Sequence, residues 1–84
     1  LAPRIYQGLR AAQALARPGV PARALREAFL KALDSHPAFD VDYFDVASAA
    51  TLAPQERLEA GQPAVALAAV RLGATRLLDN ILLS

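Results

Sequence analysis

The side chains that could take part in chemistry are few and scattered in this 84-residue chain. Its one histidine, His36, stands directly before Pro37. A histidine at the end of a helix is favoured because its partial positive charge interacts with the negative end of the helix dipole. A metal site or a Ser-His-Asp array would need partner side chains that the sequence does not place beside it. We therefore interpret His36 as a helix-terminating residue.

Three carboxylates follow within six residues, at Asp40, Asp42 and Asp45. Because successive side chains of a strand alternate between its faces, we expect Asp40 and Asp42 on one face and Asp45 on the other. A calcium loop would also need a glycine turn and a distal glutamate, and neither is present. The pattern predicts an acidic, solvent-facing edge strand that resists pairing with other strands. We predict no catalytic, cofactor-binding or metal-binding residue in the chain, which also lacks the glycine-rich phosphate-binding motifs.

Two arginines, Arg71 and Arg76, flank the dipeptide Gly73-Ala74. A glycine first in a two-residue loop predicts a type II′ hairpin, which places Arg71 directly opposite Arg76. Like charges in that position destabilise a hairpin unless something neutralises them. Both side chains could extend into screening solvent, or they could contact an anionic ligand or an acidic surface of another domain. We treat the two arginines as candidate interdomain contacts.

Another polar pair, Asp79 and Asn80, interrupts the apolar run that ends the chain. Buried polar groups need hydrogen-bond partners. We expect this pair to make hydrogen bonds at a turn or strand end.

Two amphipathic helices are predicted in the first half of the chain. Apolar residues recur at helical spacing over residues 1–16, and Pro18-Gly19 ends this pattern. Pro21 suits the first turn of a second helix, which must end near Ser35-His36 because Pro37 disfavours helical geometry in the residue before it. Two short helices joined by a tight turn should pack as a hairpin.

The second half of the chain predicts strands. Residues 39–46 are rich in aromatic and β-branched side chains, but their alternation slips between Tyr43 and Phe44, so either both faces are partly covered or a bulge is present. Residues 51–63 form a polar connection with room for one helical turn at residues 55–57. Residues 64–72 and 75–83 are two further strands. The predicted fold is α+β, with a two-helix hairpin packed on a three-stranded antiparallel sheet.

Much of the apolar content is alanine, so the core must depend on a small number of large side chains. We expect these to be Ile5, Leu9, Leu25, Phe29, Leu33, Phe39, Tyr43, Phe44, Val65, Leu67, Leu77 and Ile81.

The composition excludes several functional classes. Nine basic and eight acidic residues are mixed along the chain, which argues against binding to nucleic acid or to an anionic membrane. The longest apolar run is far below the ~20 residues that span a bilayer. The absence of cysteine excludes disulfides and thiolate chemistry and is compatible with a cytoplasmic location. The absence of methionine suggests that this single domain, residues 1–84, comes from a longer natural chain.

The hairpin segment from Val70 to Ile81, VRLGATRLLDNI, resembles the closing stretch of pantothenate synthetases. The segment from Val41 to Val46, followed by Thr51-Leu52, is similar to the valine-aspartate-tyrosine strand of that family and the threonine-leucine after it. The order of elements is similar along all 84 residues, although the helices match only in character. The chain departs from the family at Ser48, where aspartate is common, and at Leu78, where isoleucine is usual.

The resemblance implies an ATP- and Mg²⁺-dependent ligase. Such an enzyme joins pantoate and β-alanine through a pantoyl-adenylate intermediate and gives pantothenate, AMP and pyrophosphate. In this family the catalytic groups belong to an N-terminal Rossmann-like domain, so no catalytic residue carries over to this chain. The resemblance implies a C-terminal lid domain that is inactive alone, in an enzyme that forms homodimers. The alternative is a stand-alone interaction or dimerisation module without enzymatic activity.

Overall fold

Two helices precede three strands in the computed structural model, which describes residues 2–33 and 39–83. Helix α1 spans Ala2–Ala14 and helix α2 spans Ala22–Leu33; strands β1, β2 and β3 span Phe39–Ser48, Ala64–Leu72 and Thr75–Leu82. The strands form one antiparallel sheet in the order β1-β2-β3. The predicted α+β fold is confirmed. The predicted end of the second helix, and His36 with it, lie outside the described residues.

The two helices pack against each other through their apolar sides. Leu9 on α1 and Leu25 and Phe29 on α2 have no exposed surface. Gly8 permits this close approach, because a Cβ at its position would lie 2.9 Å from Cδ1 of Phe29. The turn between the helices contains Gly19 at a φ of 91°, a backbone conformation that glycine adopts without a steric penalty.

The connection between β1 and β2 is extended at residues 55–57, where the sequence left room for one helical turn. The N–H of Gly19 donates to the carbonyl of Leu58 at 2.7 Å, and the N–H of Leu58 donates to the carbonyl of Val20 at 2.9 Å. The N–H of Ala22 donates to Glu56 in the same way. The helical turn at residues 55–57 is therefore wrong, because the turn between the helices supplies the hydrogen-bond partners of this segment. Leu58 is buried as a result.

The β2–β3 hairpin has the predicted register. Gly73 has a φ of 60°, and Leu72 pairs with Thr75 across the two-residue loop. Arg71 pairs with Arg76, as the turn chemistry requires. The loop residue and the register are thus both confirmed.

A bulge interrupts the pairing of β1 with β2. Val41 pairs with Val70 and Tyr43 pairs with Ala69, so Asp42 is an extra residue without a cross-strand partner. The predicted irregularity is present, but it lies at Asp42, before the slip that the sequence indicates between Tyr43 and Phe44. From Tyr43 onward the bulge moves each side chain to the face opposite the one that simple alternation would give.

The core lies between the helices and one face of the sheet. Phe44 of β1 stacks on Phe29 of α2 with ring centroids 4.9 Å apart, and Val70 and Ala68 of β2 are buried in the same cluster. Most predicted core residues with described side chains are buried or partly buried in this cluster, whereas Val65 and Leu67 are buried or partly buried on the opposite face of the sheet. Tyr43 is the error, because the bulge turns it to the other face, where it is 38% exposed. Within residues 2–33 and 39–83, no helix is long and apolar enough to cross a membrane.

Candidate functional site

The sheet face that points away from the helices, called the outer face here, collects most of the chemically capable side chains. Residues that pair across an antiparallel sheet share a face. The outer face therefore holds Arg71 and its neighbours in the pairing, Asp40 on β1 and Arg76 on β3. The other side chains on this face are Tyr43, Asp45, Ala47, Val65, Leu67, Ala69, Leu78, Asn80 and Leu82.

Arg76 is held on the outer face by two residues of β1. Its Nε lies 2.9 Å from Oδ2 of Asp42, and its guanidinium carbon lies 5.9 Å from the centroid of the Tyr43 ring. A cation within about 6 Å of an aromatic face is attracted by the ring quadrupole. Asp42 and Tyr43 reach the same arginine because the bulge directs both side chains outward. Part of the repulsion between the paired arginines is thus offset inside the domain.

Arg71 differs from Arg76 in its surroundings. Its neighbour across the β1–β2 pairing is Asp40, but among the described residues no carboxylate oxygen lies within 4 Å of the Arg71 guanidinium. Arg71 is exposed. Of the two predicted contact residues, Arg71 has the guanidinium that is available for an anionic partner.

The three aspartates of β1 do not form a metal site. Asp40 and Asp45 lie on the same face, which corrects the expectation that Asp45 points to the other side; the extra residue at Asp42 changes the alternation. Asp42 is engaged by Arg76. No group of three or more potential ligands converges anywhere in the part of the chain that the structure describes.

Asp79 and Asn80 are explained by a local hydrogen bond. Oδ1 of Asp79 accepts a hydrogen bond of 2.8 Å from the backbone N–H of Asn80. Strand β3 is at the edge of the sheet, where unpaired backbone groups invite other strands. The carboxylate occupies one such donor, so the predicted hydrogen bonding of this pair is confirmed, but the pair lies inside β3 and not at a turn or strand end.

Two leucines on β3 are exposed, which the sequence did not predict. Leu78 is 65% exposed and Leu82 is 59% exposed. Both lie on the outer face. Leu78 is in the same row as Tyr43, since both pair with Ala69, whereas Leu82 pairs with Val65, four positions further along β2. The signal that could have found them is the alternation of β3 itself, since Leu77 and Ile81 face the helices and Leu78 and Leu82 must then face outward.

The turn after β1 contains the first departure from the family pattern. The hydroxyl of Ser48 accepts hydrogen bonds from the N–H groups of Ala50 at 3.2 Å and of Thr51 at 3.3 Å. Short polar side chains of serine and aspartate both cap turns in this way. Leu52 completes the turn at a φ of 63°, which is unfavourable for a leucine, and its side chain is 63% exposed.

Comparison with known proteins identifies the family to which this domain is related. The model of the pantoate-beta-alanine ligase family matches residues 1–82. The chain belongs to this family. It is similar to the pantothenate synthetases of Acidiphilium cryptum strain JF-5, with 45% identity over 80 residues, and of Geobacillus thermodenitrificans strain NG80-2, with 42% identity over 83 residues. These matches cover 95% and 98% of this chain, but only 28% of each relative.

A solved structure of the pantothenate synthetase from Thermus thermophilus has the same arrangement of elements. It superposes with a TM-score of 0.74 at 35% identity, covering 94% of this chain and 28% of that one. The resemblance inferred from the hairpin and from the valine-aspartate-tyrosine strand is therefore confirmed. The present chain corresponds to little more than a quarter of the length of these pantoate-beta-alanine ligase relatives.

Proposed function

We propose that this chain is the C-terminal lid domain of a ligase that joins pantoate to β-alanine. The observation that carries the proposal is the family match over residues 1–82, combined with its coverage of only 28% of the relatives' length. The greater part of such an enzyme lies outside these 84 residues. We assign the chemistry to that part, as an N-terminal Rossmann-like catalytic domain.

The described residues offer no cluster of ligands for Mg²⁺. No group of three or more potential ligands converges among them, and Asp42 is engaged by Arg76. We therefore derive no step of ATP activation from this domain. ATP and Mg²⁺ belong to the proposal for the full-length enzyme only.

In the proposed reaction, a pantoate carboxylate oxygen attacks the α-phosphorus of ATP and pyrophosphate leaves. The β-alanine amine then attacks the acyl carbon of the pantoyl-adenylate, AMP leaves, and the amide of pantothenate forms. An acyl-adenylate is open to hydrolysis, so a cover that excludes water protects the intermediate. This is the role that we propose for the present domain, which we expect to be inactive alone.

The test uses the full-length protein that carries this chain. With pantoate, ATP and Mg²⁺ but without β-alanine, we expect pantoate-dependent exchange of labelled pyrophosphate into ATP. Addition of β-alanine should give pantothenate and AMP in equal amounts. Pantothenate formation without the exchange reaction would contradict the adenylate intermediate, and the absence of both reactions would contradict the ligase assignment.

The location and the assembly of the enzyme remain predictions. We expect a cytoplasmic homodimer, without nucleic-acid or membrane partners. Sedimentation of the full-length protein over a range of concentrations would measure the dimer directly, and a monomer throughout that range would refute it.

A further inference from the structure

We propose that the outer face is the surface through which this domain docks onto the catalytic part of its own polypeptide. The inference rests on the proposed function for the identity of that part. Beyond the proposed function, it specifies which face of the domain is covered when the lid is in place.

The outer face has the composition of an interface. Leu78, Leu82 and Tyr43 are 65%, 59% and 38% exposed, although all three are large and mainly apolar. Polar and charged side chains alternate with them: Asp40 and Arg71 lie at one end of the sheet, and Asp45 and Asn80 lie in the row between Leu78 and Leu82. Large exposed apolar side chains interspersed with polar ones on one face are typical of surfaces that bind another protein surface.

The size of the outer face favours a tethered domain over a second copy of this chain. Strand β3 has eight residues in a sheet of three strands. With a rise of about 3.4 Å per residue and a strand spacing of about 4.8 Å, the face covers roughly 400 Å². A stable complex of separate chains buries about 800 Å² on each partner. Contacts between domains of one chain bury about 300–750 Å² on each side, which the outer face can supply.

Charge specifies one property of the partner surface. Arg76 is engaged by Asp42, whereas Arg71 has no carboxylate within 4 Å among the described residues. A docked surface would desolvate Arg71 beside a like charge, which costs free energy unless an anion is supplied. We therefore expect an apolar patch on the catalytic domain with a carboxylate at its border, opposite Arg71.

Hydroxyl-radical footprinting of the full-length protein tests the inference, because the domain contains matched internal controls. Tyr6 and Leu15 are 47% and 43% exposed on the helical side, comparable with the outer-face residues. If the outer face is docked, Tyr43 should be modified several-fold more slowly than Tyr6, and Leu78 several-fold more slowly than Leu15. Equal or faster modification of the outer-face residues would overturn the proposal.

Two further measurements identify the occupant. Protection of Tyr43 should persist on dilution to concentrations at which sedimentation finds only monomers; its loss there would show that a second copy covers the face and would overturn the assignment. The variant Leu78→Asp should expose Tyr43 to modification, whereas Leu15→Asp should leave its protection unchanged. Protection that persists in Leu78→Asp and disappears in Leu15→Asp would place the contact on the helices instead.

The ligase assay and the footprinting experiment test the two proposals independently. A protein that makes pantothenate but leaves Tyr43 and Leu78 reactive would retain the proposed function and refute the docking surface. A protein with protected outer-face residues and no ligase activity would refute the proposed function and retain the intramolecular contact.

Discussion

The guanidinium of Arg76 forms an ion pair with the carboxylate of Asp42, with 2.9 Å between Nε and Oδ2, although the two residues belong to opposite edge strands of the sheet. Strands two positions apart are separated by about 9.6 Å, so the arginine must extend across the central strand. The small side chain of Ala69 leaves room for it there. The bulge brings Asp42 outward to meet it. This pair therefore joins the first strand of the sheet to the last.

Replacement of Asp42 by Asn should lower the unfolding free energy of the domain by a modest amount. The arginine side chain of the pair is 53% exposed, so screening by water limits the contribution to about 0.2–1 kcal/mol. A double-mutant cycle with Arg76→Gln, measured by urea denaturation, should give a coupling energy in that range that decreases at high salt. If Asp42→Asn has the same effect in the presence and absence of Arg76, the pair does not stabilise the sheet.

The bulge at Asp42 also marks the limit of what could be predicted from the sequence. Short-range rules were sufficient for the β2–β3 hairpin, because Gly73 determines both the turn and the pairing of Arg71 with Arg76. The bulge was detectable only as a break in alternation, and its position depends on which residues of β1 face Val70 and Ala69 in the folded sheet. An error of this kind inverts every later side chain of the strand, which is why Tyr43 and Asp45 were assigned to the wrong faces.

Only part of the outer face could be predicted from the sequence, because local patterns do not reveal partners that are distant along the chain. Arg71 and Arg76 were found from the turn alone, but the partner of Arg76 is 34 positions earlier in the chain, beyond the reach of local patterns. The extended path of residues 56–58 was missed because its hydrogen-bond partners lie in the turn between the helices. Tertiary pairing overrides local propensity at both places.

Replacement of Gly8 by Ala should destabilise the domain, although alanine favours helices by about 1 kcal/mol over glycine. The added Cβ would lie 2.9 Å from Cδ1 and 3.0 Å from Cε1 of Phe29, whose ring is fully buried. Such overpacking costs about 1–3 kcal/mol. Urea denaturation should show a net loss for Gly8→Ala and a smaller loss when Phe29→Leu is already present. Additive effects of the two substitutions would mean that the loss does not come from contact with the Phe29 ring.

Replacement of Gly73 by Ala should lower the stability of the hairpin through the backbone alone. Nothing lies within 4 Å of a Cβ built at this position, but its φ is 60°. A residue with a Cβ is destabilised by about 1–2 kcal/mol in that region, and asparagine is destabilised by less. Protection of the β2–β3 amides from hydrogen exchange should therefore be highest with Gly73, lower in Gly73→Asn and lowest in Gly73→Ala. Equal protection in Gly73→Ala would contradict the type II′ assignment.

Replacement of Leu52 by asparagine, in contrast, should stabilise the domain. The residue is 63% exposed at a φ of 63°, so its side chain gains little from burial while its backbone is strained. Leu52→Asn should raise the unfolding free energy by up to about 1 kcal/mol, and the β-branched variant Leu52→Val should lower it. Urea denaturation of the two variants measures the difference. A loss of stability in Leu52→Asn would show that the exposed leucine makes a stabilising contact with another part of the enzyme.

Replacement of Arg71 by Gln distinguishes the two interpretations of the arginine pair by the sign of its effect. If Arg71 only extends into solvent, removing a like charge opposite Arg76 should stabilise the hairpin by about 0.2–1 kcal/mol and leave the kinetics of the full-length enzyme unchanged. If it meets a carboxylate of the catalytic domain, the same variant should weaken interdomain protection of the outer face and raise KM or lower kcat.

The matched variant for this test is Arg76→Gln. Because Arg76 is paired inside the domain with Asp42, its loss should reduce the stability of the sheet first. Kinetic parameters of both variants, combined with hydrogen exchange of strand β3 in the full-length protein, separate the two roles. Unchanged kinetics and unchanged protection in Arg71→Gln would refute the interdomain contact. A defect in Arg71→Gln that Arg71→Lys restores would attribute the contact to positive charge, since lysine keeps the charge and loses only the planar two-point geometry of the guanidinium.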